Sequence, residues 1–111
     1  MGDNSSQAWG ERDMAKGVIF AEVEIHDPNE YEKYRPLAAS AIEAAGGSYY
    51  VRRGDPEILE GSPATKLIVI VEFPTREQAK EFYYSSRYQE AAAIRQRAST
   101  TRMILLSGYD G

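Results

Sequence analysis

The chain has 111 residues with 13 basic and 17 acidic side chains, which gives a net charge of −4. This length suits one domain with a single core, and the mild acidity argues against a nucleic-acid partner, which requires a clustered basic face. There is no cysteine, so disulfides and thiolate metal sites are excluded and a cytoplasmic location is expected. The longest apolar run, Leu67 to Val71, is too short to cross a membrane, and we expect no membrane partner.

Residues 1–15 are polar and follow neither a strand nor a helix period. They predict a flexible N-terminal arm ahead of a domain over residues 16–111. Trp9 is unusual in such a segment. It is either an idle exposed side chain or a hook that packs on a partner subunit.

The first half of the domain predicts a strand, a helix and a second strand. Val18 to Ile25 alternates with a period of two, as a half-buried strand does. Asp27 and Pro28 then start a helix, Pro36 is expected to kink it, and Gly46-Gly47 ends it. Residues 48–53 form the second predicted strand.

The second half predicts a strand, a helical region and a last strand. Residues 66–73 are apolar on both faces, as a central strand is, and Thr75 caps the helix that follows. A break at Ser85-Ser86 separates that helix from another over 87–98, and residues 101–109 predict the fourth strand. This order predicts a ferredoxin-like α+β fold (βαββαβ), a four-stranded antiparallel sheet with its helices on one face.

The helix-free face of this sheet is predicted to be apolar. It receives Val18, Phe20, Ile68 and Ile70, with either Met103 and Leu105 or Ile104 and Leu106. A monomer would expose these side chains as one patch larger than soluble monomers tolerate. A second copy that packs sheet to sheet across a two-fold axis is the simplest cover. We therefore expect a homodimer.

The segment from about Lys16 to Gly111 contains spaced strings that resemble the family called domain of unknown function 1330. That family belongs to the dimeric α/β-barrel superfamily, alongside cofactor-free antibiotic-biosynthesis monooxygenases. The resemblance implies a ferredoxin-like fold and a dimeric barrel, but little chemistry. Arg53 replaces an expected glycine, and Glu22 stands where histidine is frequent. The strings are Asp27-Pro28, Tyr31, Tyr34, Gly46-Gly47, Tyr49, Val51-Arg52, Gly54, Glu57, Leu59-Glu60-Gly61, Val71-Glu72-Phe73-Pro74, Ala79, Tyr83, Ser86, Tyr88-Gln89, Arg95 and Gly108-Tyr109-Asp110-Gly111.

Charged side chains on the helix-free face are the predicted catalytic residues. Glu22, Glu24 and His26 share that face of the first strand, and parity adds Glu72, Tyr50 and Arg52 as ligand-binding residues. They form an ion-pair network at the subunit interface, a ligand pocket, or a metal site. In a pocket, crowding would raise an acid's pKa, as a general base needs. Metal-binding spacings such as HxH are absent from the sequence, and we expect no metal.

The last helix supplies two further predicted ligand-binding residues. Tyr88 and Arg95 are seven positions apart, so they share one helix face. Arg95 is predicted to meet either an anionic ligand group or a carboxylate such as Glu60. Tyr31, Tyr34 and Tyr83 are predicted to belong to the core.

Three functions are compatible with these features. The first is a cofactor-independent enzyme that acts on a small apolar or aromatic acid, the second a non-catalytic small-ligand-binding homodimer, and the third a structural homodimer. A cavity separates the first two from the third, and a perturbed acid lining that cavity separates the first from the second. No nucleotide-binding motif occurs in the sequence, and we expect no organic cofactor.

Overall fold

A computed structural model describes residues 15–61 and 67–109 of the chain. The flexible arm predicted over residues 1–15, with Trp9, lies outside the described residues except for Ala15. The elements are β1 (Gly17–Ile25), α1 (Pro28–Ala44), β2 (Ser48–Val51), β3 (Leu67–Phe73), α2 (Arg76–Tyr84), α3 (Ser86–Ala98) and β4 (Ser99–Ser107).

The four strands form one antiparallel sheet in the order β2-β3-β1-β4. β1 and β3, the two most apolar strands, occupy the centre as predicted. The ferredoxin-like α+β fold is confirmed.

Each helix begins at a residue whose side chain accepts a backbone hydrogen bond. Asp27 accepts from the Glu30 amide at 3.1 Å, Thr75 from the Gln78 amide at 3.1 Å, and Ser85 from the Tyr88 amide at 3.1 Å. These caps satisfy amides that have no partner within the helix. α1 runs through Pro36 to Ala44, and Gly46 follows at φ 83°, a left-handed conformation that glycine adopts without strain.

The core lies between the helices and one face of the sheet, here called the covered face. β1 contributes Ile19, Ala21 and Val23, each at most 6% exposed. The rings of Phe73 in β3 and Phe82 in α2 lie 4.9 Å apart. Aromatic burial of this kind contributes a large share of the stability of a small domain.

The opposite face, here called the open face, carries no helix. Phe20 lies at its centre, paired with Ile70 in β3 and Ile104 in β4. The same register pairs Val18 with Leu106, so Ile104 and Leu106, rather than Met103 and Leu105, point to this face. Leu106 is 44% exposed, and the open face is apolar along its middle.

The short strand β2 differs from its prediction. It ends at Val51 rather than residue 53, and its pairing with β3 shifts register between Tyr49 and Val51. Alternation therefore does not continue through Arg52. Its guanidinium stacks on the Tyr49 ring at 4.9 Å, beside the covered face, so its predicted place on the open face is wrong.

Candidate ligand site between sheet and helices

A small cavity lies between the covered face and the helices. Its volume of about 40 Å³ has room for roughly three water molecules. Its floor is apolar and includes Ile19, Ala21, Val69 and Met103. The polar part of its wall consists of tyrosines and arginines, namely Tyr31, Tyr34, Tyr49, Tyr88, Arg35, Arg52 and Arg95.

Two larger clefts border the same region on the side of β4. One, of about 270 Å³, is mostly apolar and is lined by residues that include Tyr83, Tyr84 and Leu105. The other, of about 400 Å³, is more polar and includes Arg95, Ser99 and Thr101. Met103 borders the cavity and both clefts, and Tyr83 borders both clefts. Met103 is therefore a lining residue common to all three spaces.

A chain of hydrogen bonds crosses the wall of the cavity. The hydroxyls of Tyr34 and Tyr88 are 2.7 Å apart, and the Arg95 Nε donates to the Tyr88 hydroxyl at 3.3 Å. The prediction that Tyr88 and Arg95 share a helix face is confirmed. Within the described residues Arg95 forms no ion pair with Glu60, an exposed residue.

Burial raises the pKa of three tyrosines of the cavity. Desolvation raises the pKa of Tyr34, reinforced by the Tyr88 hydroxyl beside it, and desolvation also raises the pKa values of Tyr31 and Tyr49. Burial disfavours the charge on Arg95, but the hydroxyls of Tyr88 and Tyr34 outweigh it and raise the Arg95 pKa. At neutral pH the wall thus presents hydroxyl and guanidinium donors.

The other two arginines of the wall have different surroundings. Arg35 donates from Nε to Glu32 at 2.8 Å and lies over the Tyr31 ring at 5.0 Å. Arg52 is exposed and lies over Tyr49. Both guanidinium groups gain cation–π stabilisation. Among the described residues that line the cavity there is no aspartate, glutamate or histidine.

The predicted catalytic residues lie elsewhere. Glu22 contacts Arg102 at 3.4 Å at one end of the open face. Glu24 is exposed, and the His26 Nε2 lies 2.7 Å from the Thr100 hydroxyl. Their catalytic role stays a prediction, and none of the three lines the cavity or the two clefts described above.

Of the predicted ligand-binding residues, Arg52, Tyr88 and Arg95 come together at the cavity, and Tyr50 and Glu72 do not. Tyr50 is 69% exposed. Glu72 contacts Lys16 at 3.4 Å and lies four positions along β3 from Ile68, the partner of Glu22. This is roughly 13 Å, so the acids form no cluster.

Sequence reasoning missed Met103 and Arg35 as cavity residues and placed Tyr34 only in the core. The helical spacing of Tyr31, Tyr34 and Ala38 marked a buried stripe. That pattern cannot distinguish a packed position from the wall of a cavity.

Within residues 15–61 and 67–109, no three aspartate, glutamate, histidine or cysteine side chains are grouped so that they could hold a metal ion. No helix in the same part of the chain is long and apolar enough to span a membrane.

Solved structures with this fold include enzymes and proteins of unknown function. A protein of unknown function from Rhodopseudomonas palustris matches with a TM-score of 0.72 at 19% identity, over 100% of this chain and 95% of that one. A candidate antibiotic biosynthesis monooxygenase from Caulobacter crescentus matches with a TM-score of 0.66 at 14% identity, over 94% and 99%. SnoaB, a cofactor-independent oxygenase from Streptomyces nogalater, matches with a TM-score of 0.59 at 13% identity, over 87% and 96%. At these identities the likeness shows the shared ferredoxin-like fold.

A match of the amino-acid sequence to a family model shows which family the chain belongs to. The family described as Domain of unknown function (DUF1330) matches residues 16–109, and the chain belongs to it. The resemblance noted in the sequence is confirmed. No curated protein matches this chain significantly.

Proposed function

We propose that this protein binds a small apolar or aromatic molecule where the cavity and the two clefts meet at Met103. The observation that carries this proposal is that one residue, Met103, lines an apolar cleft, a polar cleft and a cavity with hydrogen-bond donors in its wall. Volumes of a few hundred Å³ with a mostly apolar lining and a few convergent polar groups are typical of small-molecule sites. Methionine adapts its shape to such ligands.

We further propose that the protein works as a cytoplasmic homodimer joined through the open face. Phe20, Ile70 and Ile104 form the apolar centre of that face. Contiguous apolar patches on a sheet face are usually covered by another surface. The ion pairs Arg102–Glu22 and Lys16–Glu72 lie toward its ends. An apolar centre with a charged rim is the usual composition of a subunit interface.

Ligand binding is better supported as the function of this cavity than acid–base catalysis. A general base must lie within hydrogen-bond reach of the proton that it removes. The cavity lining described here offers no carboxylate or imidazole, and burial raises the pKa of Tyr34, so its hydroxyl does not act as a base at neutral pH. These observations favour a binding module over an enzyme that abstracts protons.

Cofactor-independent oxygenation is the second candidate. It is favoured by the inner cavity, whose apolar floor and volume of about 40 Å³ suit a molecule as small as O₂ beside a ligand in the clefts. The fold shared with SnoaB, a cofactor-independent oxygenase, is consistent with this candidate. Oxygen uptake by purified protein with electron-rich phenols, without added flavin or metal, is expected for an oxygenase and not for a binding module.

The binding proposal is tested by NMR of the methionine methyl groups during titration with single-ring aromatic compounds. The Met103 methyl signal, assigned with Met103→Leu, should shift in a saturable way. Met103→Trp fills the junction and should abolish binding, whereas Leu37→Trp, at an exposed position of α1, should not. A Met103 signal that stays unchanged with every compound would contradict the proposal.

A further inference from the structure

Arg95 is a buried charge without an acidic partner among residues 15–61 and 67–109. The residue is 5% exposed and lies in the last turn of α3. Its Nε donates to the Tyr88 hydroxyl, and no carboxylate of the described residues lies within ion-pair distance. The Tyr88 and Tyr34 hydroxyls offset the desolvation of this charge, but they do not neutralise it as a carboxylate would. A buried guanidinium without a carboxylate beside it attracts an anionic ligand.

The guanidinium of Arg95 carries two terminal amino groups besides the Nε that contacts Tyr88. Neither forms a hydrogen bond with a described residue, yet every fully buried side-chain nitrogen and oxygen in this part of the chain has a partner. Judged by its described partners, the small accessible fraction of Arg95 therefore includes these amino groups. The spaces that Arg95 borders are the inner cavity and the polar cleft.

The surroundings of Arg95 favour a planar oxyanion. Its guanidinium presents two parallel donors, a geometry that fits a carboxylate in a bidentate manner. Met103 and Tyr83 supply apolar surface in the same cleft, while the Ser99 hydroxyl donates to the Arg95 carbonyl at 2.7 Å. Arg35 already has Glu32 as its partner, whereas the terminal amino groups of Arg95 have none among the described residues.

We propose that Arg95 binds the carboxylate of a small aromatic acid whose ring lies against Met103 and Tyr83. This inference rests on the proposed ligand-binding function and adds the charge of the ligand and the residue that selects it. The site should discriminate strongly between a carboxylate and the isosteric neutral amide. A charge-assisted hydrogen bond is stronger than a neutral one, and a carboxylate can accept from both amino groups.

The experiment measures dissociation constants by calorimetry for three acid–amide pairs: benzoate and benzamide, phenylacetate and phenylacetamide, 4-hydroxybenzoate and 4-hydroxybenzamide. Wild-type protein should bind at least one acid about tenfold or more tightly than its amide. Arg95→Gln should remove that preference and leave amide binding within about threefold. Arg87→Gln, on the exposed side of the same helix, should leave the preference unchanged.

The outcomes are distinguishable. Equal binding of acids and amides by wild-type protein overturns the inference but leaves the ligand-binding function standing. An unchanged preference in Arg95→Gln also overturns it. Absence of binding by all six compounds overturns the inference and the proposed function together. Circular dichroism checks that the variants fold. If Arg95→Gln does not fold, Arg95→Lys takes its place: this variant should keep part of the preference, and an undiminished one contradicts the bidentate contact.

Discussion

The two faces of the sheet carry charge in different ways. On the open face, Glu22 and Glu72 each contact a basic side chain at the edge of an apolar surface. On the covered face, Arg95 is deeply buried without an acid among the described residues. Paired charges around an apolar centre fit a subunit interface. A buried charge with free donors beside a cavity fits a ligand site.

The largest expected effect comes from a charge placed in the middle of the open face. Phe20→Asp puts a carboxylate between Ile70 and Ile104, and burying it in a dimer costs several kcal/mol, roughly. Light scattering should detect a monomer or unfolded protein. Leu37→Asp, an apolar-to-acid change at a site 47% exposed on α1, is the control and should stay dimeric. A wild-type protein that is monomeric at micromolar concentration refutes the dimer.

A smaller effect is expected where β1 passes beneath α2 on the covered face. A Cβ on Gly17 would lie 2.6 Å from the Thr75 carbonyl oxygen and 2.8 Å from the Ala79 Cβ. Gly17→Ala should lower the free energy of unfolding by about 1–3 kcal/mol, measured in denaturant. Gly108→Ala, whose Cβ would meet the Lys16 side chain at 3.3 Å, should cost less. Equal stability of both variants would show that α2 does not pack this closely on β1.

The buried tyrosines predict a loss of stability at high pH. Burial raises the pKa of Tyr34, whereas a tyrosine in the unfolded chain ionises near pH 10. The neutral hydroxyl therefore contributes stability that is fully present below about pH 10 and is lost as the pH rises further.

Denaturant unfolding between about pH 8 and pH 11 measures this loss. Tyr34→Phe removes a hydrogen bond to Tyr88 and should cost about 1 kcal/mol at neutral pH. It should also make the decline at high pH shallower. Tyr50→Phe, at a position 69% exposed, should change neither. A decline that is equally steep in Tyr34→Phe would contradict the assignment to this hydroxyl.

The smallest effect is expected at the paired acids of the open face. Glu22→Gln and Glu72→Gln each remove one partly exposed ion pair. Each substitution should lower the free energy of unfolding by less than about 1 kcal/mol. Glu24→Gln is the comparison at an exposed position of the same strand. Stabilisation by Glu22→Gln or Glu72→Gln would indicate a strained carboxylate and would support the predicted catalytic role of the acids on this face.

Regular alternation and helical spacing made much of this fold predictable. β1 alternates over its whole length, so its two faces were identified correctly, and the seven-residue spacing placed Tyr88 and Arg95 together. The alternation of side chains along a strand shows only which face of the sheet each residue is on. Alternation does not show which residues of two strands are paired. The sequence analysis therefore grouped Glu22 and Glu72, which the register of β1 and β3 places far apart. The register shift in β2 likewise moved Arg52, and no sequence pattern marked it.

The most direct test of the ligand site is the ligand-free stability of Arg95→Met. Methionine is shorter than arginine but unbranched, flexible and apolar, so it removes the buried charge and fills part of the space that the guanidinium leaves. If Arg95 is held without a counter-charge in order to bind an anion, the variant should unfold at the same or higher denaturant concentration than wild type, and it should lose its preference for acids over amides. A loss of more than about 2 kcal/mol in Arg95→Met, with the acid preference intact, would show that Arg95 stabilises the fold and does not select the ligand.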